Sequence, residues 1–307
     1  MPAETVSPAL NFSVIIPAHN DWGPLAGCLE SLGRPNDSPG FEVIVVDDGS
    51  RNEAPRSIYQ YSDRFPLRIV RQPHTGVAAA RNLGIYNAAG AVLLFTDADC
   101  RLDPDGLSVL AERISRLTQH HYFQLRIAGD SSSLLGRAED LRLTTIQAHL
   151  LQPDGRIRYL NTSGFALRRS ATTPEKDLFD PMALRSEDTL LLTSLMQKGE
   201  LPLFVPDAIV RHSIRMSFAA CVRKDVRVAW LEASTFERIA AMGIQVRMKN
   251  RQRMAMLRST WKASSQPSIG KSAWFVLTFR QALQRAISVL YRSLPFRSKP
   301  QPTADSP

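Results

Sequence analysis

The chain has 307 residues, 44% of them hydrophobic, which is ample for a buried core and excludes a chain disordered by composition. Cys28, Cys100 and Cys221 stand singly, with no CxxC pair and no His/Cys cluster; this argues against a disulfide framework or structural zinc module and fits a reducing compartment. The net charge of +9 is uneven: residues 1–214 carry 21 basic and 25 acidic residues, residues 215–307 carry 17 and 4, so a mildly acidic body joins a basic tail suited to an anionic surface.

Met1–Asn11 has neither a basic n-region nor an apolar h-region, so no signal peptide is expected. Phe12–Pro17 reads as a buried strand stopped by its proline. Asn20 or Asp21 can cap a helix whose apolar face is Leu25, Leu29 and Leu32. Gly33–Gly40 is a loop, and Phe41–Val46 is a β-branched strand ending in the turn chemistry of Asp47-Asp48-Gly49-Ser50. Residues 54–64 are expected to be helical, Leu67–Val70 a short strand, and the alanine-rich Val77–Ala89 a helix closed by Gly90.

Ala91–Phe95 is a continuous apolar run that leads into Asp97-Ala98-Asp99, as expected of a strand buried on both faces of a parallel sheet. Strand and helix thus alternate over the first hundred residues, the pattern of an α/β fold with a mostly parallel sheet. Beyond Asp99, Leu107–Leu117 reads as a helix, Phe123–Ile127 as a strand, Leu141–Leu151 as a helix and Gly164–Arg169 as a strand. Ser186 is expected to cap a helix beginning at Glu187-Asp188 and ending at Gly199, its two acids suiting the positive end of the helix dipole. Leu203–Pro206 and Ala208–His212 end the acidic body.

Three acidic loops therefore lie at strand ends or a helix start: Asp47/Asp48, Asp97/Asp99 and Glu187/Asp188. In open α/β sheets such loops gather at one crevice. Any one pair alone reads as a solvated turn. Together they suit a divalent ion that neutralises a phosphate leaving group and a carboxylate base that takes a proton from an attacking hydroxyl.

Five blocks in order carry a resemblance: Val14-Ile15-Ile16-Pro17-Ala18-His19-Asn20, Glu42–Ser50, Gly76–Gly84, Phe95–Asp99, and Glu187-Asp188 followed by Leu191, Leu195 and Gly199. Over about residues 12–212 the chain resembles a family 2 glycosyltransferase of the GT-A fold. The resemblance implies a Rossmann-like, mostly parallel sheet flanked by helices. It implies inverting transfer of a sugar from a nucleotide-sugar (UDP-, GDP- or dTDP-linked) to an acceptor hydroxyl, in envelope polysaccharide or glycolipid synthesis. Pro17, Ala18, His19 and Asn20 would line the nucleotide pocket, with Asp47 and Asp48 at the nucleobase and Arg81 reaching the base or diphosphate. Asp97 and Asp99 match the DxD motif that holds Mn²⁺ or Mg²⁺, with Asp97 also at the donor. Asp188 matches the catalytic base, Glu187 its acidic neighbour, and His212 a histidine near the metal or phosphates.

The chain also departs from the pattern. His19 stands where tyrosine is usual, Cys100 where a third Asp is frequent, and Leu190 and Ser194 where Asp and Arg are common. No QxxRW signature is present, since Ala229 precedes Trp230, which favours a single transfer over processive synthesis. The altered helix after Glu187-Asp188 leaves one alternative, a catalytically weak nucleotide-sugar-binding or scaffold protein, and the basic tail leaves another, a membrane-binding module. Asn161-Thr162-Ser163 fits a glycosylation acceptor pattern and is taken as chance.

The expected organisation is a catalytic domain over 1–214, a helical basic extension over 215–295 and a disordered tail over 296–307. In the extension Phe218, Val222, Val226 and Trp230 repeat every four residues as a packing face. Basic Lys249, Arg251 and Arg253 are interleaved with Met248, Met254, Met256 and Leu257, and Ser264–Gly270 is a linker. Trp274, Phe275, Phe279, Leu283, Ile287, Leu290 and Leu294 form an apolar stripe, from which Arg280 and Arg285 lie largely apart. Those arginines interrupt any membrane span. The extension is expected either to lie on an anionic membrane surface or to pack on the catalytic domain or a dimer partner, with a cytoplasmic or peripheral membrane location. No nucleic-acid recognition module accompanies its charge.

Overall fold

A computed structural model describes residues 12–32, 39–173, 176–183, 185–214, 216–241 and 250–293. The N-terminal segment read as leaderless, part of the Gly33–Gly40 loop, Met248, Lys249, Leu294 and the tail read as disordered lie outside the described residues. The chain divides into two compact units. One comprises residues 1–126, 161–178 and 202–210; the other comprises 127–160, 179–201 and 211–307.

The first unit holds most of an eight-stranded sheet. The strands of the sheet are β1 (Phe12–Ala18), β2 (Phe41–Asp48), β3 (Leu67–Gln72), β4 (Val92–Phe95), β5 (Cys100–Leu102), β6 (Tyr122–Gly129), β7 (Phe165–Arg168) and β8 (Leu203–His212), in the order β3-β2-β1-β4-β7-β6-β8-β5. The last residues of β6 and β8 belong to the second unit. Neighbours among β3, β2, β1 and β4 run parallel, and β7 is antiparallel to both β4 and β6. The Val/Ile/Leu-rich stretches of β1, β2 and β4 are wholly buried, as a sheet covered on both faces requires.

Strand β1 runs through Pro17 to Ala18 instead of stopping at the proline. Pairing with β4 has already ended at Ile15, so on that side the missing N–H of Pro17 interrupts no ladder. Likewise β8 passes through Pro206, which is exposed.

Helices of this unit are α1 (Trp22–Leu32), α2 (Arg56–Tyr59), α3 (Val77–Asn87) and α4 (Gly106–Arg116). The expected helix over 54–64 is only one α turn followed by a 3₁₀ turn over Gln60–Asp63; its single buried α residue, Ile58, gives too little apolar surface to hold more. Helix α3 lies close on β1. A Cβ on Gly84 would come 2.3 Å from Ile15 Cγ2, so only glycine allows this approach.

The second unit contains α5 (Leu134–Leu150), α6 (Glu187–Lys198), α7 (Phe218–Ala241), α8 (Asn250–Ala263) and α9 (Lys271–Ser293). Helix α5 starts seven residues before its apolar pattern predicts, because Ser133 Oγ accepts the Gly136 N–H at 2.9 Å and caps it. Ala138 and Leu141 of α5 pack with Ala273 and Leu277 of α9.

The packing face expected on α7 is overturned in part. On α7 the buried face is Cys221, Asp225, Ala229 and Ala233, whereas Phe218 and Val226 are exposed. On α9 Phe275, Phe279 and Leu290 of the apolar stripe point outward, and Arg280 points inward. The cause is an ionic network. Arg280 makes a two-pronged bond to Asp225 (Nε–Oδ2 2.6 Å, Nη2–Oδ1 2.9 Å), and Gln284 Nε2 donates to the same carboxylate at 3.0 Å. Arg280 Nη1 also faces Glu139 Oε2 at 3.7 Å, while Arg142 closes on Glu139 through Nε (3.0 Å) and Nη2 (2.5 Å). Burial pushes the Glu139 carboxyl up, but Arg142, with His212 and Arg280, outweighs it and holds the group at about 2.

Candidate active site

The carboxyl ends of β1 and β2 are tied together. The Asn20 N–H donates to Ser50 Oγ (2.9 Å), and Asn20 Oδ1 accepts the Arg51 N–H (2.9 Å). Asn20 holds a left-handed backbone at φ 59°, which asparagine tolerates better than most residues. Pro17 and Ala18 lie beside Val46 and Asp47 in parallel register.

Asp47 and Asp48 are both buried. Asp47 Oδ1 accepts the Ser50 N–H at 2.8 Å, closing the turn, and Arg71 Nη1 stands 3.5 Å from its other oxygen. Asp48 is held by the loop after β3: Oδ1 accepts from Gln72 Nε2 (2.7 Å) and the Thr75 N–H (2.9 Å), and Oδ2 accepts the Gly76 N–H (3.0 Å) and lies 2.9 Å from His74 Nδ1. His19 Nδ1 lies 2.7 Å from the Asp48 carbonyl oxygen, and the His19 and His74 rings stack at 4.2 Å. Gly49 makes the turn possible. Its φ is +72°, and a Cβ there would approach the His74 backbone nitrogen to 2.7 Å.

The second acidic loop follows β4. Arg81, buried on α3, donates through Nη2 to Asp97 Oδ1 at 2.7 Å, and Ser163 Oγ donates to Asp97 Oδ2 at 2.6 Å. Asn161 places that serine: its side chain accepts the Ser163 N–H at 2.9 Å and caps a 3₁₀ turn over Thr162–Gly164. The Cys100 N–H donates to the Asp97 carbonyl at 3.0 Å, folding the loop so that Asp97, Asp99 and Cys100 present ligand atoms within 4.8 Å of one another. Burial, then the Asp99 and Asp97 charges, push the Cys100 thiol up, so it stays protonated. The donors left are carboxylate oxygens, which fit a hard ion such as Mg²⁺ or Mn²⁺ better than a thiolate-seeking one.

Glu187 and Asp188 belong to the second unit. Glu187 is buried in the first turn of α6, and Asp188 Oδ1 accepts the Thr189 N–H at 2.6 Å. Ser186 does not cap this helix with its side chain: it sits in the left-handed region at φ 61°, so its hydroxyl makes no cap bond. Strain of this kind in a non-glycine residue is frequent beside working groups. Helix α6 ends as expected at Gly199 (φ 74°), where the Gly199 and Glu200 N–H groups reach the Met196 and Leu195 carbonyls. Leu190 packs with Ala183 and Ile239, a core role in place of a polar one. His212 ends β8, and its carbonyl accepts the Asp130 N–H at 3.0 Å.

Sequence reasoning missed His74 and Ser163. His74 lay outside the blocks that carried the resemblance. Ser163 was in view only as part of a tripeptide with another meaning.

A four-stranded parallel core continued by antiparallel strands, with acidic turns at the strand ends, defines the GT-A class of nucleotide-sugar folds. The profile described as Glycosyl transferase family 2 matches residues 13–185, and the chain belongs to that family. It is 28% identical over 189 residues (60% of this chain, 32% of that protein) to the poly(ribitol-phosphate) beta-N-acetylglucosaminyltransferase TarS of Staphylococcus aureus. It is 34% identical over 93 residues (30% and 27%) to the uncharacterized glycosyltransferase YibD of Escherichia coli. The matched parts make up about a third or less of those relatives. Among solved structures, S. aureus TarS 1–349 in complex with UDP is similar at a TM-score of 0.54 and 17% identity, covering 92% of this chain and 91% of that one. The Pyrobaculum calidifontis mannosyltransferase PcManGT, in complex with GDP-Man and Mn²⁺, is similar at 0.57 and 18%, covering 94% and 82%.

Proposed function

We propose that the chain is a metal-dependent, inverting, non-processive glycosyltransferase that moves a hexosyl-type sugar from a nucleotide-sugar to an acceptor hydroxyl. One observation carries the reading: Asp97 and Asp99 offer oxygens within 4.8 Å of each other, with Asp97 held by buried Arg81 and by Ser163. An Mn²⁺ or Mg²⁺ ion held by these carboxylates would offset the charge of a diphosphate leaving group. The turn of Pro17–Asn20 and Asp47/Asp48 binds the nucleoside, with His19 supplying a ring in place of the usual tyrosine. Arg81 keeps Asp97 fixed, so the donor meets a carboxylate that does not have to reorganise. Asp188 takes the proton from the acceptor hydroxyl, Glu187 supports it, and His212 joins the phosphate side. The acceptor in this reading belongs to an envelope polysaccharide or a lipid-linked glycan, reached from the cytoplasmic side; the relative TarS is named for transfer to poly(ribitol-phosphate).

A thermal-shift screen of UDP-, GDP- and dTDP-sugars with and without Mn²⁺ tests this. One donor should raise the melting point only with metal, and Asp99→Asn should remove that shift. Asp188→Asn should keep the shift and lose transfer by at least about a hundredfold. Donor binding without any turnover by the wild type would instead identify a nucleotide-sugar-binding scaffold.

A further inference from the structure

The outward face of the α7–α9 helices has a chemistry unlike the rest of the chain. From Asn250 to Ser293 the sequence holds eight Lys/Arg and no Asp or Glu. On α9 the exposed positions include Phe275 (59% exposed), Phe279 (51%), Val289 (61%) and Leu290 (55%), which recur at helical spacing along one face. The face extends sideways. Trp261 of α8 lies edge-on to Trp274 (4.8 Å) and Phe275 (6.5 Å), and Phe218 of α7 packs on Phe279 at 6.0 Å. Trp261, Trp274, Phe275, Leu257 and Arg258 together line one shallow surface hollow.

Cations edge this apolar face. Lys271 Nζ stands 3.5 Å from the centre of the Trp261 ring, and Arg258 and Arg285 are exposed. A contiguous apolar patch rimmed by polar residues marks an interaction site on a soluble surface. Aromatic rings interleaved with Lys and Arg match the boundary between headgroups and acyl chains. No described helix is long and apolar enough to cross a bilayer.

We propose that this face docks on an anionic lipid bilayer, lying in the interface without spanning it. Phe275, Phe279 and Trp261 enter the acyl boundary while Arg258, Lys271 and Arg285 meet the headgroup charge. Each basic side chain at such a surface is worth roughly a fivefold change in partitioning. This assignment goes beyond the sugar-transfer reading and does not depend on it.

The test is flotation of the full chain with phosphatidylcholine vesicles, alone or with a third phosphatidylglycerol, while tryptophan emission is recorded. Expected are binding to the anionic vesicles at least tenfold tighter than to neutral ones, loss of that preference at high salt, and a blue shift of emission. Phe275→Glu with Phe279→Glu should weaken binding at least tenfold while circular dichroism shows the helical fold retained. Equal binding to neutral vesicles, no binding, or full binding by the double variant would overturn the proposal. So would a wild-type dimer that the double variant dissolves and that ignores vesicles, which would assign the face to a second copy of the chain.

Discussion

Replacing Glu139 by glutamine keeps the side chain's volume and removes its charge. In the folded chain Glu139 sits between Arg142 and Arg280 at about 2, against an ordinary value of 4.5. A carboxyl whose pKa is depressed by folding contributes stability that is complete above its unfolded value and lost as pH falls through its folded one. The difference of about 2.5 pH units corresponds to about 3 kcal/mol, in line with the roughly 3–5 kcal/mol for breaking a buried ion pair. Glu139→Gln should therefore lower unfolding free energy by about 3 kcal/mol at pH 7. That gap should stay constant down to about pH 5, shrink between pH 4.5 and pH 2, and vanish below. Urea unfolding followed by tryptophan fluorescence measures it, because Trp230, Trp261 and Trp274 lie in the same unit as Glu139. A gap under about 1 kcal/mol at pH 7, or one that does not narrow in acid, would refute the argument.

Two further outcomes follow from the first unit. Ser163→Ala removes a charge-assisted bond to Asp97 and should cut transfer kcat/KM by about tenfold or more without lowering the melting point; unchanged kinetics would mean that Ser163 does not position Asp97. Gly49→Ala forces a left-handed alanine against the His74 backbone and should lower the melting point by about 5 °C, a shift that differential scanning fluorimetry detects.

Much of the first unit could be read in the chain because its signals are local. The apolar runs of β1, β2 and β4 bury both faces, and β2 and β4 lead directly to Asp48 and Asp97. Ser163 could not be read, because its role depends on a neighbour 66 positions away. The inward face of α7 was misread for a different reason. Periodicity sends apolar residues inside and charges outside, but Asp225 and Arg280 neutralise each other and so can both be buried. Once they point inward, helical spacing turns Phe275 and Phe279 outward.

Gly84 has no chemistry of its own, yet it works as a depth stop. Its missing side chain lets α3 settle against Ile15, and that seating fixes where Arg81, almost one turn earlier on the same helix, delivers its guanidinium to Asp97. A methyl group at position 84 would act as a shim, lifting the helix and backing the arginine away from its carboxylate. Tolerance at this glycine therefore measures how finely the acidic loop must be aimed, and a mutational scan confined to charged residues would not sample it.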